Sequence, residues 1–253
     1  MAPLRICLLG EFEVRVDARL VSLRPPKKAV GLLAYLAARP GQAFSRGKLA
    51  DLLWSDRAPD EARHSLRQTL LTLRRSLAEI SPPLVRAEGD TLALDAAAVD
   101  VDVVAFQRLA AEGSYHSLEM AAGLYRGEFL EGLYVDEAVF QEWVVAERER
   151  LREMAMDALA RLLQRQRGSS GVEPAIQTAL RLLRLDRTQE VVHRTLIRLY
   201  ARQGRRAEAL RQYRTCVDVL RRELGVEPEP ATVRLYREMR HPRLGAGEAK
   251  SQV

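Results

Sequence analysis

The spacing of the apolar residues changes along this chain, and the change limits the folds that the chain can adopt. Within residues 4–23 apolar and polar residues alternate, which predicts short, half-buried strands. Within residues 26–80 the apolar residues recur at intervals of three and four. This predicts three helices, the first of which ends at Pro40 and Gly41. Two further apolar runs within 84–94 flank a Glu-Gly-Asp turn and predict a β-hairpin.

The remainder of the chain has a different pattern. From 103 to 240 leucine and alanine recur at helical spacing throughout. The expected fold is therefore an α+β N-terminal domain of short strands, three helices and a hairpin, followed by an all-α domain. We place the first domain at 1–98 and the second at 99–241. The residues at 242–253 have no apolar period and are expected to form a flexible tail.

The composition indicates a folded chain with a basic surface. Hydrophobic residues make up 47% of 253 residues, and the formal net charge of +6 favours nucleic acid first and an anionic membrane second. No apolar run is long enough to span a bilayer and no signal peptide is recognisable, so we expect a cytoplasmic protein with no membrane partner. Cys7 and Cys216 lack metal-ligand spacing and are expected to be buried thiols. No cofactor is expected.

The third predicted helix has two contrasting faces. Four leucines and an alanine form an apolar stripe that is expected to pack in the core: Ala62, Leu66, Leu70, Leu73 and Leu77. The opposite face carries groups that can hydrogen-bond to base edges: His64, Gln68, Thr72 and Arg75. Further arginines lie on its flank: Arg63, Arg67 and Arg74. The polar face contains almost no acidic residue, although an ordinary solvent-exposed helix is the alternative.

The segments around these helices resemble the DNA-binding domain of OmpR-type response regulators over residues 4–95. The resemblance lies in the Pro-Lys start of the first helix at 25–28, the Pro-Gly break at 40–41, the Ser-Arg start of the second helix at 45–46 and the Leu-Trp end at 53–54. The stretch at 62–77 resembles the recognition helix of that family, and the hairpin at 84–94 resembles its wing. The resemblance implies that the N-terminal domain is a winged helix-turn-helix.

This resemblance implies a role for each polar position. The third helix would enter the major groove, where the residues that face the bases would be His64, Gln68, Thr72 and Arg75. The residues that contact phosphates would be Arg46, Lys48, Arg63 and Arg67. Arg86 in the wing would contact the minor groove or a phosphate. Arg74 either joins these contacts or braces the fold through a carboxylate, and Trp54 is expected in the core.

The helical half contains an internal repeat. Ala175 and Ala209 are 34 residues apart, as are Ala179 and Tyr213. This spacing resembles the tetratricopeptide pattern, so the expected class of the second domain is tetratricopeptide-like. The chain departs from that pattern at Arg187, which stands where the closing proline is usual. The helix that contains Tyr213 is also expected to overrun its repeat and end near Gly225.

Two segments of the helical half, 124–148 and 222–236, resemble the bacterial transcriptional activator domain. Together with the OmpR-type winged helix they identify a SARP-type regulator over residues 4–240, a family associated with antibiotic and other secondary-metabolite gene clusters. The resemblance implies an activator that binds double-stranded promoter DNA, RNA polymerase including its sigma factor, and a second protomer. No βαβ pattern of a receiver domain is present, so we expect no control by phosphorylation within this chain.

Two other classes of function fit the sequence less well. The stretch at 41–49 looks like a phosphate loop, but five residues separate its glycines and Leu49 stands where serine or threonine would bind the metal. The histidines are scattered, so we predict no enzyme activity. A scaffold that binds only proteins is the second alternative, and its binding would lack the salt dependence of a DNA complex. Whether the chain is complete is left open.

Overall fold

The computed structural model describes residues 4–16, 19–21, 25–78, 84–166 and 171–240. Contacts between residues divide the chain into two compact units, Met1–Ala158 and Leu159–Val253. The boundary predicted at residue 98 falls inside the first of these units. The predicted end of the third helix near residue 80 and the predicted tail lie outside the described residues.

The order of elements confirms the predicted strands, three helices, hairpin and helical half. The strands are β1 (Leu4–Cys7), β2 (Glu13–Val16), β3 (Arg19–Leu20), β4 (Phe44–Ser45), β5 (Val85–Glu88), β6 (Thr91–Leu94) and β7 (Val99–Val101). The helices are α1 (Lys27–Ala37), α2 (Arg46–Leu53), α3 (Pro59–Leu77), α4 (Asp102–Glu112), α5 (Tyr115–Leu124), α6 (Ala138–Gln166), α7 (Val172–Leu185), α8 (Glu190–Arg202), α9 (Arg206–Val219) and α10 (Pro230–Arg240). A π-helical segment, Leu220–Leu224, follows α9.

The first sheet has the strand order β3-β2-β1-β7. Ile6 in β1 is paired with Val14 in the antiparallel neighbour β2 and with Val101 in the parallel neighbour β7. Leu4 and Ile6 are buried whereas Arg5 is exposed, as the alternating pattern predicts. The sequence did not predict β7, because three residues are too few to establish an alternating period.

Helices α1, α2 and α3 form the helix-turn-helix, and the second sheet, in the order β4-β6-β5, contains the wing. The Ser45 hydroxyl accepts a hydrogen bond from the backbone N–H of Lys48 at 3.2 Å, which confirms Ser45 as the N-cap of α2. Pro59 begins α3. The first residues of a helix have no partner for their N–H groups within the helix, so the missing N–H of proline costs no hydrogen bond there. Trp54 is buried, which confirms its predicted place in the core.

Helix α4 and the first part of α6 contact the winged helix within the first compact unit. The carboxylate of Asp102, at the start of α4, accepts hydrogen bonds from the backbone N–H groups of Leu8 and Leu9 at 2.8 and 3.1 Å. The rings of Tyr35 in α1 and Trp143 in α6 lie edge to face, with centroids 4.8 Å apart. The first unit therefore has a core shared by residues on both sides of position 98.

The second unit is a stack of helices in which α7 packs on α8 and α8 packs on α9. The small repeat residues Ala175, Ala179 and Ala209 are fully buried, so the helices approach closely at these positions. The π-helical segment continues α9 to Leu224, and Gly225 ends it in the left-handed conformation at φ 67°. This confirms the predicted overrun of the helix.

Both cysteines are buried free thiols, as predicted. Burial raises the pKa of Cys216 to about 12 and also raises the pKa of Cys7 above its ordinary value. The described part of the chain contains no group of three histidine, cysteine or acidic side chains placed to hold a metal ion. None of its helices combines the length and the apolar character needed to cross a membrane.

Candidate nucleic-acid interface

Helix α3 has the two faces that its sequence predicts. Its buried residues are Ala62, Leu66, Leu70, Leu73 and Leu77. This stripe belongs to a helix that packs on both α1 and α2. The exposed residues on the other side include Arg63, His64, Arg67, Gln68, Arg74 and Arg75. A single helix therefore joins an apolar surface, which fixes its position, to a basic surface that is open to solvent.

The arginines of this face have no acidic partners. Across the described ranges of the chain, no carboxylate forms an ion pair with Arg63, Arg67, Arg74 or Arg75. For Arg74 the sequence left a bracing carboxylate as an alternative, and no described carboxylate fills that role. The guanidinium groups are therefore available to an anionic ligand, and arginine binds phosphate and guanine in bidentate geometry.

Thr72 differs from the other residues that were predicted to face bases. It is half-buried, and its hydroxyl donates a hydrogen bond to the backbone carbonyl of Gln68 at 3.1 Å. A threonine hydroxyl often bonds to the carbonyl four residues earlier in a helix. This hydroxyl would have to give up that bond to donate to a base.

The sequence reasoning overlooked Leu71. This side chain is 45% exposed, although leucine is usually counted toward a core. At 100° per residue, Leu71 lies almost in line with His64, two turns earlier, and with Arg75, one turn later. The signal was present in the sequence, since Leu71 falls on the opposite side of the helix from the stripe of buried leucines.

The charge of α3 changes along its length. Asp60 and Glu61 lie in the first turn, and Arg74 and Arg75 lie in the last turn. Each charge opposes the partial charge of the nearby helix end and therefore stabilises the helix. The acidic first turn would repel phosphates, so the middle and the C-terminal part of α3 are the suitable contact surface for DNA.

The start of α2 is held against the tip of the wing. The backbone N–H of Arg46 donates a hydrogen bond to the carbonyl of Asp90 at 2.8 Å. Lys48 is exposed, and its ammonium lies 5.8 Å from the centre of the Phe44 ring. The side chains of Arg46 and Lys48 have no ion-pair partner among the described residues. This end of α2 is a second basic surface.

Arg86, the predicted DNA contact in the wing, has an acidic partner. Arg86 forms an ion pair with Asp95 at 2.5 Å. The tip of the wing carries Glu88 and Asp90. A hydrogen bond from the backbone N–H of Ala97, together with the Arg86 guanidinium, lowers the pKa of the Asp95 carboxyl below its ordinary value. Arg86 therefore already has an anionic partner, which a phosphate would have to displace.

A carboxylate from outside the winged helix holds the turn between α2 and α3. Glu137, just before α6, accepts hydrogen bonds from both the backbone N–H and the hydroxyl of Ser55 at 3.2 Å. It also forms an ion pair with Lys28 at the start of α1. The side chain of Glu137 is only 5% exposed. Nothing in its sequence surroundings marked Glu137, because its partners are distant in the chain.

Asp102 makes a second buried polar contact in the first unit. Burial raises the pKa of its carboxyl above the ordinary value, against the opposing effect of hydrogen bonds from the backbone N–H groups of Leu8 and Leu9. The Arg126 guanidinium lies 3.9 Å from the Asp102 carboxylate. Because it anchors the end of β1, Asp102 has a structural role that the sequence did not reveal.

The second unit carries more positive charge than the winged helix. Residues 159–240 contain 18 arginines and 9 acidic residues, whereas 1–98 contain 15 basic and 11 acidic residues. Residues 99–158 contain 5 arginines and 13 acidic residues. The net charge of +6 therefore does not describe the candidate interface, and the local exposure and pairing of the arginines are the better guide.

Comparison with known proteins gives two family matches. Residues 94–240 match the family described as bacterial transcriptional activator domain. Residues 21–88 match the family described as transcriptional regulatory protein, C terminal.

The chain is similar to curated regulatory proteins and to a solved structure. It is 30% identical to "Regulatory protein AfsR" of Streptomyces coelicolor, over 90% of this chain and 23% of that protein. It is 28% identical to "Regulatory protein AfsR" of Streptomyces griseus, over 92% of this chain and 24% of that protein. The chain thus spans about a quarter of the length of these relatives. The structure "Mycobacterium tuberculosis EmbR in complex with low affinity phosphopeptide" shares the fold, with a TM-score of 0.66 at 21% identity over 93% of this chain and 64% of that one.

Proposed function

Because this chain belongs to the SARP-type family, in which a bacterial transcriptional activator domain follows an OmpR-type winged helix, we propose that it binds promoter DNA and activates transcription. The observation that carries this proposal is the exposed face of α3, whose four arginines have no ion-pair partner among the described residues. A helix with one buried stripe and one basic face fits the major groove of B-DNA.

We infer the following division of contacts. The bases would be read by His64, Gln68, Thr72 and Arg75. The phosphates would be bound by Arg46, Lys48, Arg63, Arg67 and Arg74. This division follows from position. His64, Gln68 and Arg75 lie toward the centre of the exposed face, and Thr72 lies at its edge, one turn after Gln68. The second group lies nearer the buried stripe or at the start of α2. Arg86 would contact DNA only after it leaves Asp95.

The second part of the proposal concerns protein partners. We propose that the helical half recruits RNA polymerase, including its sigma factor, and that two copies of the chain bind adjacent operator repeats. The family supports an interaction with the transcription machinery. A role at secondary-metabolite genes is consistent with the similarity to the AfsR proteins. Transcription in vitro with purified polymerase, with and without sigma factor, tests this part.

The DNA-binding part is tested by measuring affinity for DNA upstream of the gene neighbourhood as a function of salt. We expect the logarithm of the binding constant to fall steeply and linearly with the logarithm of salt concentration, because bound phosphates release counterions. Arg75→Ala should weaken promoter binding about 10- to 100-fold and relax the preference at one base pair. Arg46→Ala should weaken all sequences about equally and reduce the salt slope by about 1.

The matched control is Arg108→Ala. Arg108 lies on α4, is exposed, and has no ion-pair partner among the described residues, but it lies outside the proposed interface. This variant should bind DNA as the wild type does. If promoter binding is flat in salt, or if Arg75→Ala and Arg46→Ala behave like the control, the groove assignment is wrong. Salt-independent binding to protein partners alone would instead support a scaffold.

A further inference from the structure

The polar exposed face of α3 contains one large apolar side chain. Leu71 is 45% exposed there, between the longer polar side chains of Arg67, Gln68 and Arg75. Resting on the proposed DNA-binding function, we propose that Leu71 contacts the 5-methyl group of a thymine in the operator. Leu71 would thereby set a preference for a T·A pair at that position.

The geometry favours Leu71 over the neighbouring Thr72 for this contact. Thr72 is half-buried at the edge of the face, and its hydroxyl is bonded to the Gln68 carbonyl at 3.1 Å. Leu71 lies in line with His64 and Arg75, so it faces the floor of the groove if α3 enters the groove centrally. Where α3 comes closest to the groove floor, the short side chain of Leu71 fits. The longer side chains around it reach the bases and phosphates on either side.

The chemistry of the major groove selects the base. Thymine is the one base that displays a methyl group there, whereas guanine, adenine and cytosine display hydrogen-bond donors and acceptors. A leucine pressed against those groups removes them from water without replacing their hydrogen bonds, which weakens binding. Leu71 therefore both attracts thymine and disfavours the other bases at its position.

The surroundings of Leu71 favour DNA over a protein as its partner. Arg67, Arg74 and Arg75 flank it, and across the described ranges none of them forms an ion pair. An apolar groove on a protein partner offers no charge to pair with these guanidinium groups. In duplex DNA the phosphates beside the major groove would pair with Arg67 and Arg74, and a base edge would accept hydrogen bonds from Arg75. Leu71 and the arginines around it can be satisfied together by duplex DNA.

The experiment scans the operator with single thymine-to-deoxyuridine replacements, each of which removes one 5-methyl group. The footprinted duplex is titrated with the wild type, with Leu71→Ala and with Leu224→Ala, and affinity is measured by fluorescence anisotropy. Wild-type affinity should fall about 4-fold at one or two thymines, since the burial of one methyl group contributes about that factor. Leu71→Ala should bind unmodified DNA more weakly and should lose nothing further at those thymines.

Leu224→Ala is the matched control, because Leu224 is also an exposed leucine, at 54%, and lies in the second unit. It should give the wild-type deoxyuridine profile. If the wild type binds the operator but the scan is flat, or if Leu71→Ala keeps the full loss at the same thymines, the contact does not exist although the DNA-binding proposal stands. If the wild type binds no upstream DNA in a salt-dependent manner, both proposals fail. Circular dichroism of Leu71→Ala verifies that the variant is folded.

Discussion

Replacement of Glu137 tests whether the helix-turn-helix is held in place by a residue outside it. Glu137→Ala removes a carboxylate that accepts hydrogen bonds from both polar groups of Ser55 and pairs with Lys28. The change leaves the side chain of Lys28 and the turn between α2 and α3 without their shared acceptor. We expect the free energy of unfolding of the first unit to fall.

The expected loss of unfolding free energy follows from the burial of Glu137 and Lys28. Removal of one member of a fully buried ion pair costs about 3–5 kcal/mol, since the other charge is left uncompensated. The Lys28 side chain is 30% exposed and can turn toward water, so part of this cost is avoided. We therefore expect about 2 kcal/mol for Glu137→Ala, which corresponds to a fall in Tm of about 4–8 °C for a unit of this size.

The assay is urea unfolding followed by tryptophan fluorescence. The chain has two tryptophans, Trp54 and Trp143, and both lie in the first unit. The control is Glu142→Ala, because Glu142 is an exposed carboxylate on α6 without an ion-pair partner among the described residues. It should change stability by less than about 0.5 kcal/mol.

A double-mutant cycle separates the ion pair from other effects. If the effects of Glu137→Ala and Lys28→Ala simply add, or if Glu137→Ala is no more destabilising than Glu142→Ala, the carboxylate does not hold the winged helix.

Three further outcomes are expected. Gly31→Ala should destabilise the first unit by about 1 kcal/mol because its Cβ would lie 3.2 Å from the buried side chains of Phe140 and Val135. Gly47→Ala should stabilise the unit by up to about 1 kcal/mol because nothing lies near its Cβ on α2. Urea unfolding gives the free energy of unfolding of both variants. Equal changes in the two would contradict the close packing of Phe140 and Val135 around Gly31. Burial lowers the pKa of His193 below 6.5, so the unfolded chain binds more protons and the stability of the second unit falls as pH drops through that value. The difference in free energy of unfolding between wild type and His193→Gln should shrink as the pH falls through 6.5. A constant difference would show that His193 does not cause the loss of stability.

Local patterns were sufficient to predict most of the winged helix. The stripe of buried leucines on α3 and the hairpin were both read correctly, because helix and strand periods place neighbouring residues on one face. The cap at Ser45 was predicted because it depends on residues only three apart. The exposure of Leu71 was available from the same helical period, but its residue type suggested a core position.

Contacts between distant residues could not be predicted in this way. The pairing of β1 with β7 joins segments nearly a hundred residues apart, and three residues of β7 carry no recognisable period. The pairing of Arg86 with Asp95 depends on the path of the chain after the wing, so the sequence counted Arg86 only as a DNA contact. The tertiary structure also decides which arginines are free, because identical side chains differ only in their neighbours.

The sequence by itself determined that this chain has a winged helix with a basic third helix, followed by helical repeats. These features depend on the order and spacing of nearby residues. Only the tertiary structure decided that two residues after the predicted boundary fix the N-terminal elements, since Glu137 holds the turn of the helix-turn-helix and Asp102 holds the end of β1. The physical reason is that a buried carboxylate needs donors, and the fold supplies them from residues that are remote in sequence.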